Sequence, residues 1–267
     1  MEIRAGLKLL KEAGMRKINF AGGEPFLYPN ELAMLCRYCK EDLQMESVSI
    51  ISNGTLIKKK WLEEHGRWID VLGVSCDSFN EKTNIAIGRG SGKNVEQLFD
   101  IRQWCRELGI KFKLNTVKNM ASIVAGLEPF RWKVFQVLFV EDENDASQVQ
   151  TKDDKRKRDA RKLLISKDQF DTFCGNHQYI PSFVPESNDL MASSYLILDE
   201  YLCFLDKGSG KEVQSGCILK VGVEQALKEI KWDREAFVKR GREYDWAKGV
   251  AGGDNGCGKS VPKELEF

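Results

Sequence analysis

The residues most able to do chemistry stand together near the start of the chain, in the run KINFAGGEP from Lys17 to Pro25. Gly22 and Gly23 have no Cβ, so the backbone there can take positive φ, approach a ligand closely and present bare N–H groups. Glu24 adds a carboxylate and Pro25 fixes the exit. A strand followed by two glycines is also an ordinary turn, so the weight comes from a second set. Lys17, Lys113, Arg131 and Lys133 recur at alternate positions of apolar strands, with Asn19 and Asn115 in step with them. Cations gathered on one face of a sheet suit the holding of a polyanion.

These side chains need rigid carriers, and the hydrophobic pattern supplies them. Ile3, Leu7 and Leu10 predict an opening helix that Gly14 stops. Strands are expected at Lys17 to Ala21, Ser47 to Gly54, Asp70 to Asp77, Ile110 to Val117 and Arg131 to Val140. Between them, Asn30 caps a helix with the stripe Leu32, Leu35, Cys36, Cys39 and Leu43. Ile57, Trp61 and Leu62 mark a helix closed by Gly66. The glycine-rich loop IGRGSGK precedes another, which carries Val95, Leu98, Ile101, Cys105 and Leu108. Strands alternating with amphipathic helices imply parallel pairing, hence a barrel or a doubly wound sheet.

Strand parity carries the functional argument. Lys17 and Asn19 oppose Ile18 and Phe20, while Lys113 and Asn115 oppose Phe112 and Leu114. Gly73, Ser75 and Asp77 share one side of the third strand, and Arg131 and Lys133 alternate with Trp132 and Val134. In a helix-covered sheet the apolar set must face the helices, so the polar set points into the barrel. Barrel interiors are normally filled by branched apolar side chains. Desolvated cations are costly there, so the lining asks for a polyanionic ligand. The other reading places these residues at strand ends, snorkelling to water.

The remainder of the chain sets the bounds. Its 267 residues can form one α/β domain or somewhat more. With 41 basic and 40 acidic side chains there is no overall field for nucleic acid or an acidic membrane. No apolar run approaches the roughly 20 residues of a membrane span, and MEIRAGLKLL is too charged for a signal peptide. Eight scattered cysteines fit a reducing, cytoplasmic setting rather than a disulfide framework. Cys36-Arg-Tyr-Cys39 has metal-site spacing, but both sulfurs fall on an apolar stripe and read as core.

After Val140 the texture turns polar. The basic run Lys155 to Arg158 is interspersed with aspartates and reads as solvated surface. Ser166 with Gln169 predicts a capping box, Ser194 to Leu205 a strand, and Glu224 to Ile230 and Arg234 to Lys239 two short helices. GGDNGCGKS matches a phosphate-loop pattern without the flanking strand and helix that give the pattern its function. The expected organisation is a barrel over 1–140, an extension over 141–248 and a disordered glycine-rich tail over 249–267.

KINFAGGEP, SIISNGTLI, SCDSF with IGRGSGK, RWKVFQ, FVPESN and SYLILDEY together resemble the viperin family of antiviral radical S-adenosylmethionine enzymes, from near residue 1 to about Lys248. The resemblance implies an α/β fold, a partial, TIM-like (βα)6 barrel with a C-terminal extension, working with S-adenosylmethionine and a [4Fe–4S] cluster. It implies dehydration of CTP to 3′-deoxy-3′,4′-didehydro-CTP through a 5′-deoxyadenosyl radical. Gly22, Gly23, Glu24 and Pro25 match the motif for the methionine amine, Ser75 and Arg89 match positions near its ribose and carboxylate, and Ser52 and Asn53 lie in the matching SNG turn. Lys17, Lys113, Asn115, Arg131 and Lys133 match the nucleotide site. Tyr195 matches the tyrosine proposed to return a hydrogen atom to the product radical. Iron–sulfur assembly machinery is the family's partner, and its N-terminal helix binds endoplasmic reticulum and lipid droplets.

The sequence departs from this pattern in specific places. The family's CxxxCxxC precedes the GGEP helix, and no such spacing occurs in the sequence; the first barrel strand is expected to be missing with it. Only Asn119 to Phe130 joins the fourth and fifth strands, near the minimum for a parallel crossover. The chain ends VPKELEF where the family has a tryptophan-containing tail that recruits the assembly machinery, and it lacks the family's membrane helix. The expectation is a chain inactive as given, either part of a nucleotide dehydratase or a catalytically dead relative that binds nucleotides or antiviral partners.

Overall fold

A computed structural model of the protein describes residues 2–87, 89, 92–116, 121–138, 160–206 and 213–237. Outside them lie the basic run at 155–158, the end of the helix placed at 234–239, the GGDNGCGKS motif and the tail at 249–267. The described residues form two compact units, one of 10–134 with 179–184, the other of 2–9, 135–178 and 185–237.

A sheet of six strands runs β1 (Lys17–Phe20), β2 (Ser47–Ser52), β3 (Val71–Ser75), β4 (Lys111–Thr116), β5 (Arg131–Phe135) and β6 (Phe183–Glu186), in that spatial order. The pairs from β1 to β5 are parallel. The last pair is parallel too: Trp132 N donates to Ser182 O at 2.6 Å and Gln136 N to Glu186 O at 3.0 Å, advancing equally on both strands. The sheet is an open α/β layer of the partial-barrel kind.

Five strands were expected and there are six, because the short FVPE segment pairs where sequence pattern alone showed only a motif. Strand β5 also stops at Phe135 rather than at Val140.

The crossovers are α2 (Pro29–Arg37), α3 (Lys59–His65), α4 (Glu81–Ala86), α5 (Asn94–Glu107) and α6 (Ala121–Leu127), after an opening α1 (Glu2–Glu12). In α1, Leu7 and Leu10 are buried but Ile3 is exposed, so the apolar stripe is shorter than its spacing suggested. Asn30 does not cap α2. Pro29 occupies the first helical position, Tyr28 stands at the cap without a side-chain bond, and Asn30 lies one residue inside. Helix α4 was not anticipated; the Asn80 side chain starts it by accepting from Lys82 N at 2.9 Å and Thr83 N at 3.3 Å.

Beyond α2 a π-helical turn, Tyr38–Asp42, carries Cys39 into the core beside Cys36. Burial pushes both thiols up, Cys39 to about 12, so both behave as small hydrophobes. Val48, Ile50, Leu72, Leu114 and Trp132, all buried, form the helix-facing side of the sheet.

At the N-terminal end of the strands, Asp70 acts as a fastener. Its Oδ2 accepts from Val48 N at 2.8 Å and from Lys40 Nζ at 2.9 Å, while its main chain bonds to Val48 O and Lys111 N. Strands β2, β3 and β4 are thereby locked in register at their base.

In the second unit, α7 (Lys167–His177) starts with the expected capping box, Ser166 Oγ accepting from Gln169 N and Gln169 Oε1 from Ser166 N. The run from Ser194 to Leu205 is not one strand. Ser194 ends α8 (Asn188–Ser194), β7 (Ile197–Leu198) turns at Leu202, a residue at φ +61°, and β8 (Phe204–Asp206) returns antiparallel to it. Strand β9 (Val213–Gln214) completes a three-stranded sheet, followed by α9 (Ile218–Val221) and α10 (Val223–Lys228). Among the described residues no helix is long and apolar enough to cross a membrane.

Candidate active site

The first half of the site is built where β1 ends. Gly22 and Gly23 have φ of +88° and +53°, and a Cβ at either would meet nothing within 4 Å. Crowding therefore does not require glycine here; the left-handed backbone does. The result is a left-handed run of main chain facing open space.

Glu24 holds this turn in place. The buried carboxylate accepts from Ser52 Oγ at 2.8 Å and Phe26 N at 3.1 Å on Oε1, and from Asn53 N at 2.7 Å on Oε2. It thus ties the turn after β1 to the turn after β2. A carboxylate has about four acceptor positions, so one remains on Oε2 for an incoming donor such as an ammonium.

Ser52 and Asn53 are supports. Ser52 Oγ also accepts from Gly54 N at 2.9 Å, and Asn53 Oδ1 accepts from Thr55 N and Oγ1 at 2.9 and 2.7 Å. Pro25 opens the single 3-10 turn that follows.

The loop after β3 forms the flank. Ser75 is half-buried at the end of its strand, and Arg89 Nε pairs with Asp77 Oδ2. Asn84 links the two sides of that loop, donating from Nδ2 to Ser78 O at 2.7 Å and accepting from Arg89 N at 2.6 Å on its own carbonyl. Glu81 Oε1 accepts from Val95 N at 2.7 Å and fixes the start of α5. Neither Asn84 nor Glu81 was singled out in the sequence; the Asn80 cap just ahead of them was the available signal.

The second half is the cationic row. Register pairs Gly73 with Lys113 and Lys113 with Arg131, and in the next layer Ser75 with Asn115 and Asn115 with Lys133. These side chains share one face. Arg131 is 3% exposed and Lys133 5%, so neither snorkels to water; Lys113 is half-buried. The Arg131 guanidinium lies 5.2 Å from the centre of the Phe130 ring.

Asn115 is 7% exposed, and its Oδ1 has no hydrogen-bond partner among the described residues. Such an orphan in a dry place costs about 1–3 kcal/mol, which a donor on a ligand would relieve. Gly73 makes room for Ile51, whose Cδ1 a Cβ there would meet at 2.4 Å, while Lys113 Cδ at 3.6 Å would be in ordinary contact.

Lys17 shares this parity but not this level: it pairs with Ser47 at the foot of β1, well N-terminal of the Lys113 layer. Tyr195 stands half-buried at the C-terminal cap of α8, in the other unit.

The cradle and the Oε2 position left on Glu24 fit the amino-acid end of S-adenosylmethionine. An iron–sulfur cluster finds no matching set: among the described residues no three His, Cys, Asp or Glu side chains gather as metal ligands, and the sequence contains no CxxxCxxC.

An α/β layer with a glycine cradle at the strand ends is the arrangement of a radical S-adenosylmethionine protein, and the family model described as the Radical SAM superfamily matches residues 1–120. A solved structure of polyhistidine-tagged anSMEcpe with bound AdoMet shares the fold at a TM-score of 0.55 and 14% identity, covering 91% of this chain and 77% of that one.

The relatives are more specific. The S-adenosylmethionine-dependent nucleotide dehydratase RSAD2 of Oncorhynchus mykiss is 45% identical over 258 residues, 92% of this chain and 72% of that protein. Its counterpart from Danio rerio is 46% identical, covering 92% and 70%. A nucleotide dehydratase of the same description from Lacinutrix mariniflava is 35% identical over 90% of this chain and 50% of its own. The chain belongs to the S-adenosylmethionine-dependent nucleotide dehydratase family.

Proposed function

We propose that the chain is an S-adenosylmethionine-dependent nucleotide dehydratase whose nucleotide is CTP. The observation that carries the reading is the pairing of two buried cations, Arg131 and Lys133, with the orphan acceptor of Asn115 on one face of the sheet. The cations, with Lys113, take the triphosphate; Asn115 takes a hydroxyl or amino donor of the nucleoside. Gly22, Gly23 and Glu24 hold the methionine amine, with Ser75 and Arg89 toward the ribose and carboxylate. Tyr195 is assigned the hydrogen-atom return, and Lys17 an outer contact to phosphate. Residues 1–140 serve as the barrel and 141–248 as the extension, in a reducing aqueous compartment whose iron–sulfur assembly machinery is the partner for loading.

The test is calorimetric titration of the chain with CTP and, separately, with S-adenosylmethionine. Both should bind, and CTP should bind more tightly than cytidine because the cations address the phosphates. CTP binding no tighter than cytidine would sink the reading.

A second reading is a nucleotide-binding relative without dehydratase chemistry, since among the described residues no three metal-ligating side chains gather. Anaerobic iron–sulfur reconstitution followed by assay for 5′-deoxyadenosine with CTP separates the two. Binding without 5′-deoxyadenosine favours the second reading.

A further inference from the structure

The small sheet of the second unit brings two cysteines together that the site does not use. In β8 and β9, Asp206 pairs with Val213 and Leu205 with Gln214. Phe204 continues this register toward Ser215, with Ser215 N on Phe204 O at 2.9 Å and Phe204 N on Ser215 Oγ at 2.8 Å. Beyond it the pairing slips by one residue, and Ile218 N donates to Leu202 O at 2.9 Å. This bulge sets two residues, Gly216 and Cys217, opposite the single residue Cys203. Residues that face each other across antiparallel strands have Cα atoms about 4.5–5.5 Å apart. That separation lies within the range a disulfide spans.

Both thiols are free and partly exposed. The Cys203 thiol is raised by desolvation and then by the nearby charges of Asp199 and Cys217, with Lys220 opposing.

We propose that Cys203 and Cys217 are a reversible thiol–disulfide site, closed by a low-molecular-weight disulfide such as oxidised glutathione. The thiolate of one cysteine attacks a glutathione sulfur and releases one glutathione thiolate, which takes up a proton. The thiolate of the second cysteine then attacks the protein sulfur of the mixed disulfide and expels the second glutathione. Two protein thiols are oxidised, one glutathione disulfide is reduced to two thiols, and no other reactant is needed. The closed bond would staple β8 to the start of α9 across the 207–212 segment.

The sequence makes the test direct, because Lys207 and Lys211 lie between the two cysteines and Glu186 and Glu200 between Cys174 and Cys203, so trypsin with Glu-C puts each on its own peptide unless a bond joins them. The full chain, reduced and desalted, is treated with glutathione disulfide, alkylated, digested without reductant and read by mass spectrometry. The expected product is a Cys203–Cys217 cross-linked peptide, on the order of tenfold more abundant than any other cysteine pair because the partners are preset. Dithiothreitol should remove it, and it should be missing from Cys203→Ser and Cys217→Ser. Separate glutathione adducts at the two positions, or equal cross-linking to Cys174, would overturn the proposal. Should either variant fail to fold, the wild-type peptide map decides.

Discussion

The two halves of the site are built on opposite principles. At the glycine cradle the polar groups satisfy one another: Glu24 is met by Ser52, Asn53 and Phe26, and Asn53 by Thr55. That half is held by its own hydrogen bonds. Along the row the sheet instead buries Arg131 and Lys133 and leaves the Asn115 oxygen unmet. Arg131 and Lys133 have partners within the chain, and the Asn115 oxygen is the acceptor left for what binds. On the proposed function, the difference would separate a scaffold that positions a cofactor from a lining that binds a substrate, and the halves should then respond differently to mutation.

The largest effect should come from the row. Lys133→Met is expected to weaken CTP about 100-fold, about 2.7 kcal/mol, while S-adenosylmethionine affinity stays within about twofold; calorimetry with both ligands checks it. Equal losses would erase the distinction between the halves.

Glu24→Gln should act in the reverse sense. It weakens the charge-assisted bonds to Ser52 and Asn53 and costs about 1–3 kcal/mol of stability, with S-adenosylmethionine binding down about tenfold or more and CTP binding nearly intact. Denaturant melts and the same titrations read both. An unchanged melt would show that the cradle is not self-supporting.

Asn115→Ala sharpens the contrast further. Removing an orphaned buried acceptor should not lower the stability of the ligand-free chain, yet CTP affinity should fall about tenfold. A destabilised ligand-free chain would mean that Asn115 belongs with the satisfied half.

The smallest effect at neutral pH concerns the core behind the cradle. Burial raises the Cys39 thiol from 9.0 to about 12, so the unfolded chain ionises first. Its contribution to stability is whole below pH 9 and is lost as pH climbs toward about 12. Cys39→Val should flatten that alkaline slope in urea melts at successive pH values and change little at pH 7. An unaltered slope would place the titrating group elsewhere.

Much of this was legible in the residues. Strand parity put Lys113, Asn115, Arg131 and Lys133 on one face, and a period of two leaves no other choice once helices cover the apolar side. The capping box at Ser166 was equally plain, being a local motif with a fixed spacing. What escaped were the features set by tertiary pairing. FVPE is too short and carries a proline, so only its bonds to β5 make it a strand. Lys17 shares parity with the row, but register, which parity does not contain, sets it at the foot of the sheet. Ser52 lies in the matching turn of the motif, and only the fold shows that its hydroxyl also donates to Glu24.

The fastener at Asp70 has a consequence in time. Its carboxylate and main chain bind β2, β3 and β4 together at the end of the strands away from the cradle. Amide protons at Val48, Asp70 and Lys111 should therefore be among the last to exchange with deuterated solvent, opening only when the whole sheet does. The Asn53 and Gly54 amides, held by single side-chain acceptors in a turn, should exchange long before. The sheet then keeps a slow clock at its base and a fast one at its rim, and a ligand on the cradle would reset only the fast one.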